Sequence, residues 1–345
     1  MSKIFPKKLK PGDTVAIVSP SWGGPSVFPH VYENGLKILT EWGLKIKEYP
    51  TARAKDEYLR KNPEVRAKDI NDAFSDPEVK AIFTSIGGDD SVRILPYLNK
   101  EIIKNNPKIL MGFSDATTLH TLCNQLGLVT FYGPSIMAGF SQMKNLPESF
   151  ERHVKEMLFE PEATYAYIPY GEYVDGYSDW SDENNLGKTK ELKKDDGWKF
   201  LQGKGIARGE LFGGCIEVLE MIKGTQFWPK SEFWDGKILI LETSEEKPTI
   251  HEIDHELRNY GMQGILDRIN GIVFGRARDY SAEEKLELEK RIVTVVRDEF
   301  DRADLPVIAN VDFGHTDPQF VLPLGAKAEI DCENKRFGIV EAWLT

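Results

Sequence analysis

The sequence predicts an α/β protein whose N-terminal part is a parallel sheet with helices on both faces. Short apolar runs of strand length recur through the first third of the chain, beginning with residues 14–18. Between successive runs lie stretches in which apolar residues have helical spacing. This alternation is typical of parallel sheets. Because sites in such sheets form at the carboxyl ends of the strands, the turns that follow the strands are the first candidates for chemistry.

The elements of this first part follow one another at short intervals. The predicted strands are 14–18, 45–49, 79–86, 108–111 and 129–132, and the predicted helices are 31–42, 65–74, 94–98 and 115–126. Gly43 follows the first of these helices, as expected where a left-handed residue ends a helix.

The chain changes character in its middle. Residues 171–205 are polar and glycine-rich and show little periodicity. A segment of this length inside a compact protein is either disordered or a functional loop. It contains Trp180 and Trp198, which either form part of a lid over a binding site or pin the loop to the body of the protein.

The remaining residues form a second set of elements. The predicted strands are 237–241, 269–274 and 306–309, the predicted helices are 248–260 and 281–300, and a hairpin over 326–343 turns at Glu333 and Asn334.

The composition excludes several classes of protein. The 345 residues suffice for two domains of about 150 residues each. The chain carries 44 Lys and Arg against 55 Asp and Glu, and this acidic balance disfavours nucleic acid polymers as partners. Its 3 cysteines lie far apart, which excludes a disulfide framework and suits a reducing compartment. We expect a cytoplasmic protein with no membrane partner, because there is neither a secretory signal nor a run of about 18 apolar residues.

The strongest chemical signal is the segment Gly112-Phe113-Ser114-Asp115-Ala116, between a buried strand and a helix. A serine in a sharp strand-to-helix turn presents its hydroxyl at the end of the sheet, and the free N–H groups of the helix start can stabilise an oxyanion. The alternative is a Ser or Asp helix cap without chemistry.

Gly87 and Gly88 also follow a strand and open a helix. Bare backbone N–H groups at such a turn suit an oxyanion hole or a phosphate, but the adjacent Asp89 and Asp90 argue against a phosphate. A metal site at the two aspartates and a simple tight turn both remain open.

A nucleophilic serine needs a base and an orienting carboxylate. His315 lies in a loop after a strand, where catalytic groups are common, and the alternative is a hydrogen-bonded loop histidine. Glu242 directly follows the four apolar residues 238–241, and a carboxylate there needs a partner such as a histidine unless it is solvated. His120 lies in the helix after Ser114, where packing is the simpler reading.

His251 and His255 match the H-E-x-x-H pattern of zinc proteases. At 100° per residue, both histidines fall nearly opposite the apolar stripe of their helix and should face solvent. We therefore predict neither a metal site nor any other cofactor.

Taken together, the Gly-Gly turn, the Gly-x-Ser-Asp turn, Glu242 after an apolar strand and the Gly-His-Thr-Asp-Pro segment around His315 resemble the LD-carboxypeptidase family of serine peptidases. The resemblance covers nearly the whole chain. It implies a catalytic triad of Ser114, His315 and Glu242, with an oxyanion hole formed by the backbone N–H groups of Gly88 and Asp115.

The resemblance also implies a domain organisation and a homodimer. We expect a Rossmann- or flavodoxin-like α/β domain over 1–145, a linker and insert over 146–205, and a C-terminal domain with a β-barrel-like core over 206–345.

Within the family, the long insert makes the sequence most similar to the microcin C self-immunity branch, in which insert aromatics stack on the nucleobase of the substrate. Trp180 matches the first such aromatic, whereas Leu186 stands in the stretch where a second is expected. Gly87 and Gly214 belong to the implied substrate site, and so does Cys215, which occupies a position where relatives usually have Asn.

The implied function is hydrolysis of a peptide-like amide in an aminoacyl-nucleotide substrate, which gives self-immunity or detoxification. Removal of the terminal D-residue of a murein tetrapeptide is the alternative within the same chemistry. A binding protein without catalysis would require Ser114, Glu242 and His315 to be bystanders.

Overall fold

The computed structural model describes residues 3–345, so the first two residues of the predicted N-terminal domain lie outside the described residues. The strands are β1 Thr14–Val18, β2 Lys45–Glu48, β3 Val79–Thr84, β4 Ile109–Gly112, β5 Thr130–Tyr132, β6 Tyr165–Ala166, β7 Glu172–Tyr173, β8 Lys193–Lys194, β9 Lys199–Gln202, β10 Ile206–Cys215, β11 Ile238–Glu242, β12 Gly271–Gly275, β13 Val307–Val311, β14 Leu322–Leu324, β15 Lys327–Asp331 and β16 Arg336–Ile339.

The helices are α1 Gly24–Val27, α2 Pro29–Glu41, α3 Asp56–Lys61, α4 Pro63–Ser75, α5 Lys100–Asn105, α6 Thr117–Gln125, α7 Glu148–Phe159, α8 Ile216–Ile222, α9 Ile250–Met262, α10 Ile265–Arg268 and α11 Ala282–Val293. Shorter 3₁₀ turns lie at Pro50–Arg53, Ser91–Tyr97, Ser114–Ala116, Phe140–Asn145, Glu183–Asn185 and Ser231–Trp234.

The first sheet has the strand order β14-β5-β4-β3-β1-β2. Its strands from β5 to β2 are parallel, and β14 pairs antiparallel with β5 at the edge. The central strands β1, β3 and β4 are almost entirely buried because helices cover both faces, which is why they read as continuous apolar runs. The predicted parallel α/β sheet is confirmed.

The second sheet has eight strands in the order β6-β16-β15-β10-β11-β12-β13-β9. The ten-residue strand β10 pairs antiparallel with β15 over its first half and parallel with β11 over its second half. This change of partner curls the sheet into a half-barrel, which confirms the expected barrel-like core. The hairpin predicted at the C-terminus is formed by β15 and β16.

Three predicted helices differ from the observed ones for identifiable reasons. Of the helix predicted over 94–98, residues 94–97 lie in the 3₁₀ turn Ser91–Tyr97, which contains Pro96, a residue that cannot donate an α-helical hydrogen bond. The helix predicted from 115 begins with the 3₁₀ turn Ser114–Ala116. The helix predicted over 281–300 begins at Ala282 behind a Ser281 capping box, but it widens into a π-helical turn over Thr294–Glu299.

The insert is ordered by pairing with the rest of the protein. Strands β7 and β8 form a small hairpin, and β9 joins the edge of the second sheet beside β13. Of the two alternatives for residues 171–205, a disordered segment or a functional loop, the structure shows an ordered loop, and its function stays a prediction. The two domain boundaries also stay a prediction. Within residues 3–345, no helix is both long and apolar enough to cross a membrane.

The two sheets direct four strand ends toward one place. Gly87 follows β3, Ser114 follows β4, Glu242 ends β11, and His315 lies in the loop after β13. Both sheets therefore contribute their carboxyl ends to a common site, as expected for parallel strands.

Candidate active site

Ser114 lies in the sharp turn between β4 and α6 with a φ of 60°. A left-handed conformation is strained for a residue with a side chain, typically by about 1–3 kcal/mol, and such strain is common at functional sites. Two hydrogen bonds hold the turn: the Ser114 N–H donates to the Tyr132 hydroxyl at 3.1 Å, and the Thr117 hydroxyl donates to the Ser114 carbonyl at 2.7 Å. The serine side chain is partly exposed to a cavity.

The glycine turn after β3 packs directly against this serine. A Cβ placed on Gly87 would lie 2.9 Å from Ser114 Oγ and 3.5 Å from the Asp115 nitrogen. Only glycine leaves this space open, and the Asp115 N–H faces it. Within the described residues, the Ser114 N–H is bonded to Tyr132, whereas the N–H groups of Asp115, Gly87 and the exposed Gly88 have no hydrogen-bond partner.

The side chain of Asp115 ties the two turns together. Its buried carboxylate accepts hydrogen bonds from the N–H groups of Asp90 at 3.0 Å and Ser91 at 2.9 Å. The Ser91 hydroxyl donates in turn to the Asp115 carbonyl at 2.7 Å. Burial raises the pKa of Asp115, and its hydrogen bonds with Ser21 and Ser91 act in the opposite direction. Behind the turn, the buried Arg66 pairs with Asp90.

Glu242 and His315 form a buried pair. His315 Nδ1 donates to Glu242 Oε2 at 2.7 Å, and the side chains are 3% and 0% exposed. The Tyr132 hydroxyl donates to the other carboxylate oxygen at 2.5 Å. Burial alone would lower the pKa of His315, but the neighbouring charges of Glu242 and Glu245 outweigh it and the pKa is raised.

The other imidazole nitrogen faces a second carboxylate. His315 Nε2 lies 3.2 Å from Glu245 Oε2, in the loop that follows β11. Among the hydrogen bonds of residues 3–345, none joins Ser114 to His315. The ring of Phe113 packs against the imidazole with a centroid separation of 5.0 Å, so the residue before the serine limits where the histidine can move.

Ser114, Gly87, Gly88 and His315 share a cavity of about 520 Å³. Four of the lining side chains are aromatic, namely Trp22, Phe28, Tyr177 and Trp180, and five are charged, namely Arg60, Asp89, Glu245, Glu246 and Arg278. The two groups adjoin each other, since the Arg278 guanidinium lies 5.8 Å from the Tyr177 ring.

Trp180 packs against the three other aromatic side chains of the cavity lining. Its ring plane lies within 9° of that of Trp22, with centroids 6.5 Å apart, and it packs edge-on against Phe28. Tyr177 lies 5.4 Å away, and His30 Nε2 donates to the Trp180 carbonyl at 3.0 Å. The insert therefore contributes an aromatic wall to the cavity.

The two insert tryptophans have different positions. The Trp198 indole N–H donates to Asp312 Oδ2 at 2.8 Å, and Trp198 is not among the described residues that line the cavity. Arg276, which is fully buried, binds both Asp312 and the insert residue Asp195. Trp198 thus pins the loop to the body while Trp180 lines the cavity, and each of the two alternatives describes one of the tryptophans.

Gly214 and Cys215 lie behind the serine rather than in front of it. A Cβ on Gly214 would lie 2.4 Å from Thr117 Oγ1, and the Cys215 N–H donates to the same hydroxyl at 3.0 Å. Burial raises the pKa of the Cys215 thiol, which therefore stays protonated. The cavity lining drawn from residues 3–345 includes neither Gly214 nor Cys215.

The remaining histidines have structural positions. His120 is buried and donates from Nε2 to the Gly112 carbonyl at 2.9 Å, and burial lowers its pKa to about 4. His153 is also buried and accepts the Val321 N–H. His251 and His255 are exposed on α9, as their helical angles predict. Within the described chain, no three His, Cys, Asp or Glu side chains form a cluster that could hold a metal.

Sequence reasoning missed Tyr132, Trp22, Glu245 and Arg278. Tyr132 ends β5, one strand away from Ser114, and its position at a strand end was the available signal. Trp22 follows β1 in the same way. Glu245 and Arg278 lie in loops after β11 and β12, where no spacing pattern distinguishes them from other charged loop residues.

Two family models match the chain in order. The model of the LD-carboxypeptidase N-terminal domain matches residues 15–133, and the model of the C-terminal domain matches residues 208–330. Together they cover more than half of the chain.

Curated relatives and solved structures are similar over nearly the full length. The microcin C7 self-immunity protein MccF of Escherichia coli is 28% identical over 98% of this chain and 96% of its own. A probable murein peptide carboxypeptidase of Bacillus subtilis is 30% identical over 98% of this chain and 94% of its own. The structure of MccF in complex with glutamyl sulfamoyl guanosine superposes with a TM-score of 0.87 at 26% identity, covering 99% of each chain. The chain belongs to the LD-carboxypeptidase family and is a serine-type carboxypeptidase.

Proposed function

We propose that Ser114 is the nucleophile of this carboxypeptidase, that His315 is its general base and acid, and that Glu242 orients the imidazole. We further propose that the substrate is an aminoacyl nucleotide of the microcin C type, hydrolysed at a peptide-like amide. The observation that carries this proposal is the buried His315–Glu242 hydrogen bond beside a serine held at positive φ on the same cavity.

The first half of the reaction forms an acyl-enzyme. His315 Nε2 accepts the proton of the Ser114 hydroxyl while the serine oxygen attacks the carbonyl carbon of the substrate. Glu242 stabilises the imidazolium that results. As the carbon–nitrogen bond breaks, His315 returns the proton to the leaving nitrogen. Water then attacks the carbonyl carbon of the acyl-enzyme while His315 takes one of its protons. As the bond to Ser114 breaks and the acid is released, His315 returns this proton to the serine oxygen.

The developing oxyanion is stabilised by backbone donors. Among the described residues, the N–H groups of Gly88 and Asp115 have no other hydrogen-bond partner, whereas the N–H of Ser114 itself bonds to Tyr132. In comparable sites, removal of one such donor costs about 2.7–4 kcal/mol of transition-state stabilisation. The Asp115 carboxylate keeps the Gly88 turn close to the serine.

The aromatic side chains of the cavity lining support the proposal that the enzyme recognises a nucleobase of the substrate. Trp180 and Trp22 present nearly parallel rings, and stacking of a base on an aromatic ring contributes about 1–3 kcal/mol. Trp22 supplies from the N-terminal part of the chain the second aromatic that is missing near Leu186. The MccF relative is named for microcin self-immunity and was solved with an aminoacyl sulfamoyl nucleoside, which agrees with this substrate class. The biological role that follows is self-immunity or detoxification.

Trimming of murein tetrapeptides is the second candidate. The relative from Bacillus subtilis that carries this name is 30% identical. The charged side chains of the cavity lining include Arg278, whose guanidinium would suit a peptide with a free carboxylate. Both candidates use the same three side chains and require no cofactor.

One comparison separates the two candidates. The purified protein is incubated with an aminoacyl nucleotide and, separately, with an L,D-tetrapeptide, and the released nucleotide and D-alanine are measured. We expect faster turnover of the nucleotide, and loss of at least about 10,000-fold in the Ser114→Ala variant. Faster release of D-alanine would favour the murein reaction, and unchanged activity in Ser114→Ala would remove both candidates.

Three further proposals follow from the sequence analysis. We propose a homodimer, a cytoplasmic location and domains that divide near residues 146 and 206. Analytical ultracentrifugation tests the dimer, fractionation of the source cells tests the location, and limited proteolysis tests the boundaries.

A further inference from the structure

Glu245 occupies a position that the reaction must use. Its carboxylate oxygen Oε2 lies 3.2 Å from His315 Nε2 and 3.7 Å from Arg278 Nη1, so one oxygen bridges the imidazole and the guanidinium. If His315 accepts the proton of Ser114, its Nε2 must exchange this contact for one with the serine hydroxyl. The free enzyme is therefore held in a state in which the base is engaged by a carboxylate of the protein itself.

The chemistry of the leaving group identifies what can replace Glu245. His315 protonates the leaving nitrogen, so the substituent on that nitrogen must lie beside Nε2. In a peptide with a free C-terminus this substituent carries a carboxylate two bonds away. In an aminoacyl nucleotide or its sulfamoyl analogue the nitrogen is bonded directly to phosphorus or sulfur, which carries oxygens. Both substrate classes thus bring an oxygen-rich group to the position of the Glu245 carboxylate.

Arg278 is built to receive such a group. Its side chain is only 14% exposed, its Nε donates to Asp279 at 3.1 Å, and its guanidinium packs closely against Gly176 and lies 5.8 Å from the Tyr177 ring. Within residues 3–345 its two terminal nitrogens make no hydrogen bond, so their donors remain available. A guanidinium fixed in this way suits carboxylate and phosphate oxygens.

Glu245 is able to leave. Its side chain is 56% exposed, and its contact with Arg278 is longer than a hydrogen bond. Partial burial acts to raise the pKa of Glu245, but His315 and Arg278 outweigh it, so the pKa is lowered and the side chain is a carboxylate at neutral pH. It therefore resembles in charge and shape the group that would displace it.

We propose that Arg278 binds the carboxylate, phosphoryl or sulfamoyl group carried by the leaving nitrogen, and that Glu245 holds this position in the free enzyme. Substrate binding moves Glu245 into solvent, and His315 Nε2 becomes free to face Ser114. The inference rests on the proposed function, because it assumes that His315 protonates the leaving nitrogen.

The test compares two peptides that differ only at the group in question. An L,D-tetrapeptide with a free C-terminal carboxylate and the same peptide with a C-terminal carboxamide are assayed with the wild type and with Arg278→Gln. We expect the ratio of kcat/KM for acid over amide to fall by about 10- to 100-fold in Arg278→Gln, as charge-assisted hydrogen bonds are lost. Arg258→Gln, which removes a surface guanidinium paired with Glu299, is the matched control and should keep the ratio.

Glu245→Gln provides a second variant, because Arg278 also packs against the insert and its removal could impair folding. Without the competing carboxylate, we expect KM for the acid peptide to fall several-fold and the acidic limb of the pH profile of kcat/KM to move to lower pH. An unchanged KM together with an unchanged pH profile overturns the proposal. An unchanged acid-to-amide ratio in a folded Arg278→Gln protein does the same.

A third arm with an aminoacyl nucleotide distinguishes the bound group. If Arg278→Gln raises KM for the nucleotide and the wild type does not cleave the peptide, the bound group is phosphoryl. If Arg278→Gln raises KM for the acid peptide and the wild type does not cleave the nucleotide, the bound group is carboxylate. If only this inference fails, the wild type is active and its activity depends on Ser114, but the acid-to-amide ratio of kcat/KM is the same in Arg278→Gln as in the wild type. A wild type that cleaves none of the three compounds contradicts the proposed function itself, and this inference with it.

Discussion

The hydroxyl of Tyr132 lies 2.5 Å from Glu242 Oε1 and donates a hydrogen bond to it, although the two residues are 110 positions apart. The same hydroxyl accepts the N–H of Ser114 at 3.1 Å. Burial, and then the charge of Glu242, raise the pKa of Tyr132, so the hydroxyl keeps its proton and remains a donor. One buried side chain thus connects the turn that holds Ser114 with the carboxylate that accepts a hydrogen bond from His315.

We expect Tyr132→Phe to lower kcat by about 10-fold while KM changes little, because Tyr132 positions other groups and does not line the cavity. The variant also leaves a buried carboxylate oxygen without its donor, which should reduce the free energy of unfolding by about 1–3 kcal/mol. Steady-state kinetics and denaturant unfolding measure the two effects.

A purely structural role for Tyr132 would alter stability alone. The pH profile provides the decisive readout, because a Glu242 carboxylate released from Tyr132 should bind the His315 imidazolium more strongly and move the acidic limb to higher pH. A profile identical to the wild type, with normal kcat, would contradict the positioning role.

Asp115→Asn tests the connection between the two turns of the proposed oxyanion hole. Both backbone N–H groups donate to the same carboxylate oxygen, Oδ2, and the neutral oxygen of an amide is a weaker acceptor at that place. The NH₂ group of the amide would take the buried position of Oδ1, which has no hydrogen-bond partner among the described residues. We expect kcat to fall by about 10- to 100-fold as the Gly88 turn moves away from Ser114. Asp72→Asn, at an exposed position on α4, serves as the control for loss of a charge.

The pH dependence of wild-type activity follows from the surroundings of His315. Glu242, Glu245 and Glu217 favour the charged imidazole and, against burial, raise its pKa above the ordinary value of about 6.5. The charge of His315 acts to lower the pKa of the nearby Asp317, although burial outweighs this effect and the pKa of Asp317 is raised. A general base must be neutral, so kcat/KM in the free enzyme should fall as the pH decreases through this raised pKa.

Measurement of kcat/KM from about pH 5 to about pH 9 checks the direction of this dependence. A midpoint of the acidic limb above that of a free histidine is the expected result. A midpoint below it would mean that burial dominates over the carboxylates in the working enzyme.

The aromatic lining of the cavity predicts that replacement of Trp22 or Trp180 weakens binding of one substrate class more than the other. Replacement of either by Ala should raise KM for an aminoacyl nucleotide by about 10- to 100-fold, the equivalent of about 1–3 kcal/mol of stacking. KM for an L,D-tetrapeptide, which has no base, should change far less. Equal effects on both substrates would show that these rings support the cavity and do not recognise a base.

Local features explain how much of the fold could be predicted. Apolar runs such as residues 238–241 form buried strands, because a central strand pairs its backbone on both sides and buries its side chains on both faces of the sheet. Capping boxes at Thr249 and Ser281 begin the helices that follow them, and in each box the two capping residues are only three positions apart. The ends of helices were less predictable, since the widening after Val293 depends on packing against other elements.

The sequence by itself determined the parallel α/β layout and identified the turns that hold Ser114, Glu242 and His315, because strands and the turns that end them are specified by neighbouring residues. Only the tertiary structure decided that Tyr132 joins two of these turns, that Glu245 engages His315, that Trp180 and Trp198 have separate positions, and that Cys215 lies behind the serine. Those contacts form between residues that are mostly far apart in the chain, and they depend on strand order and sheet curvature, which no local pattern encodes.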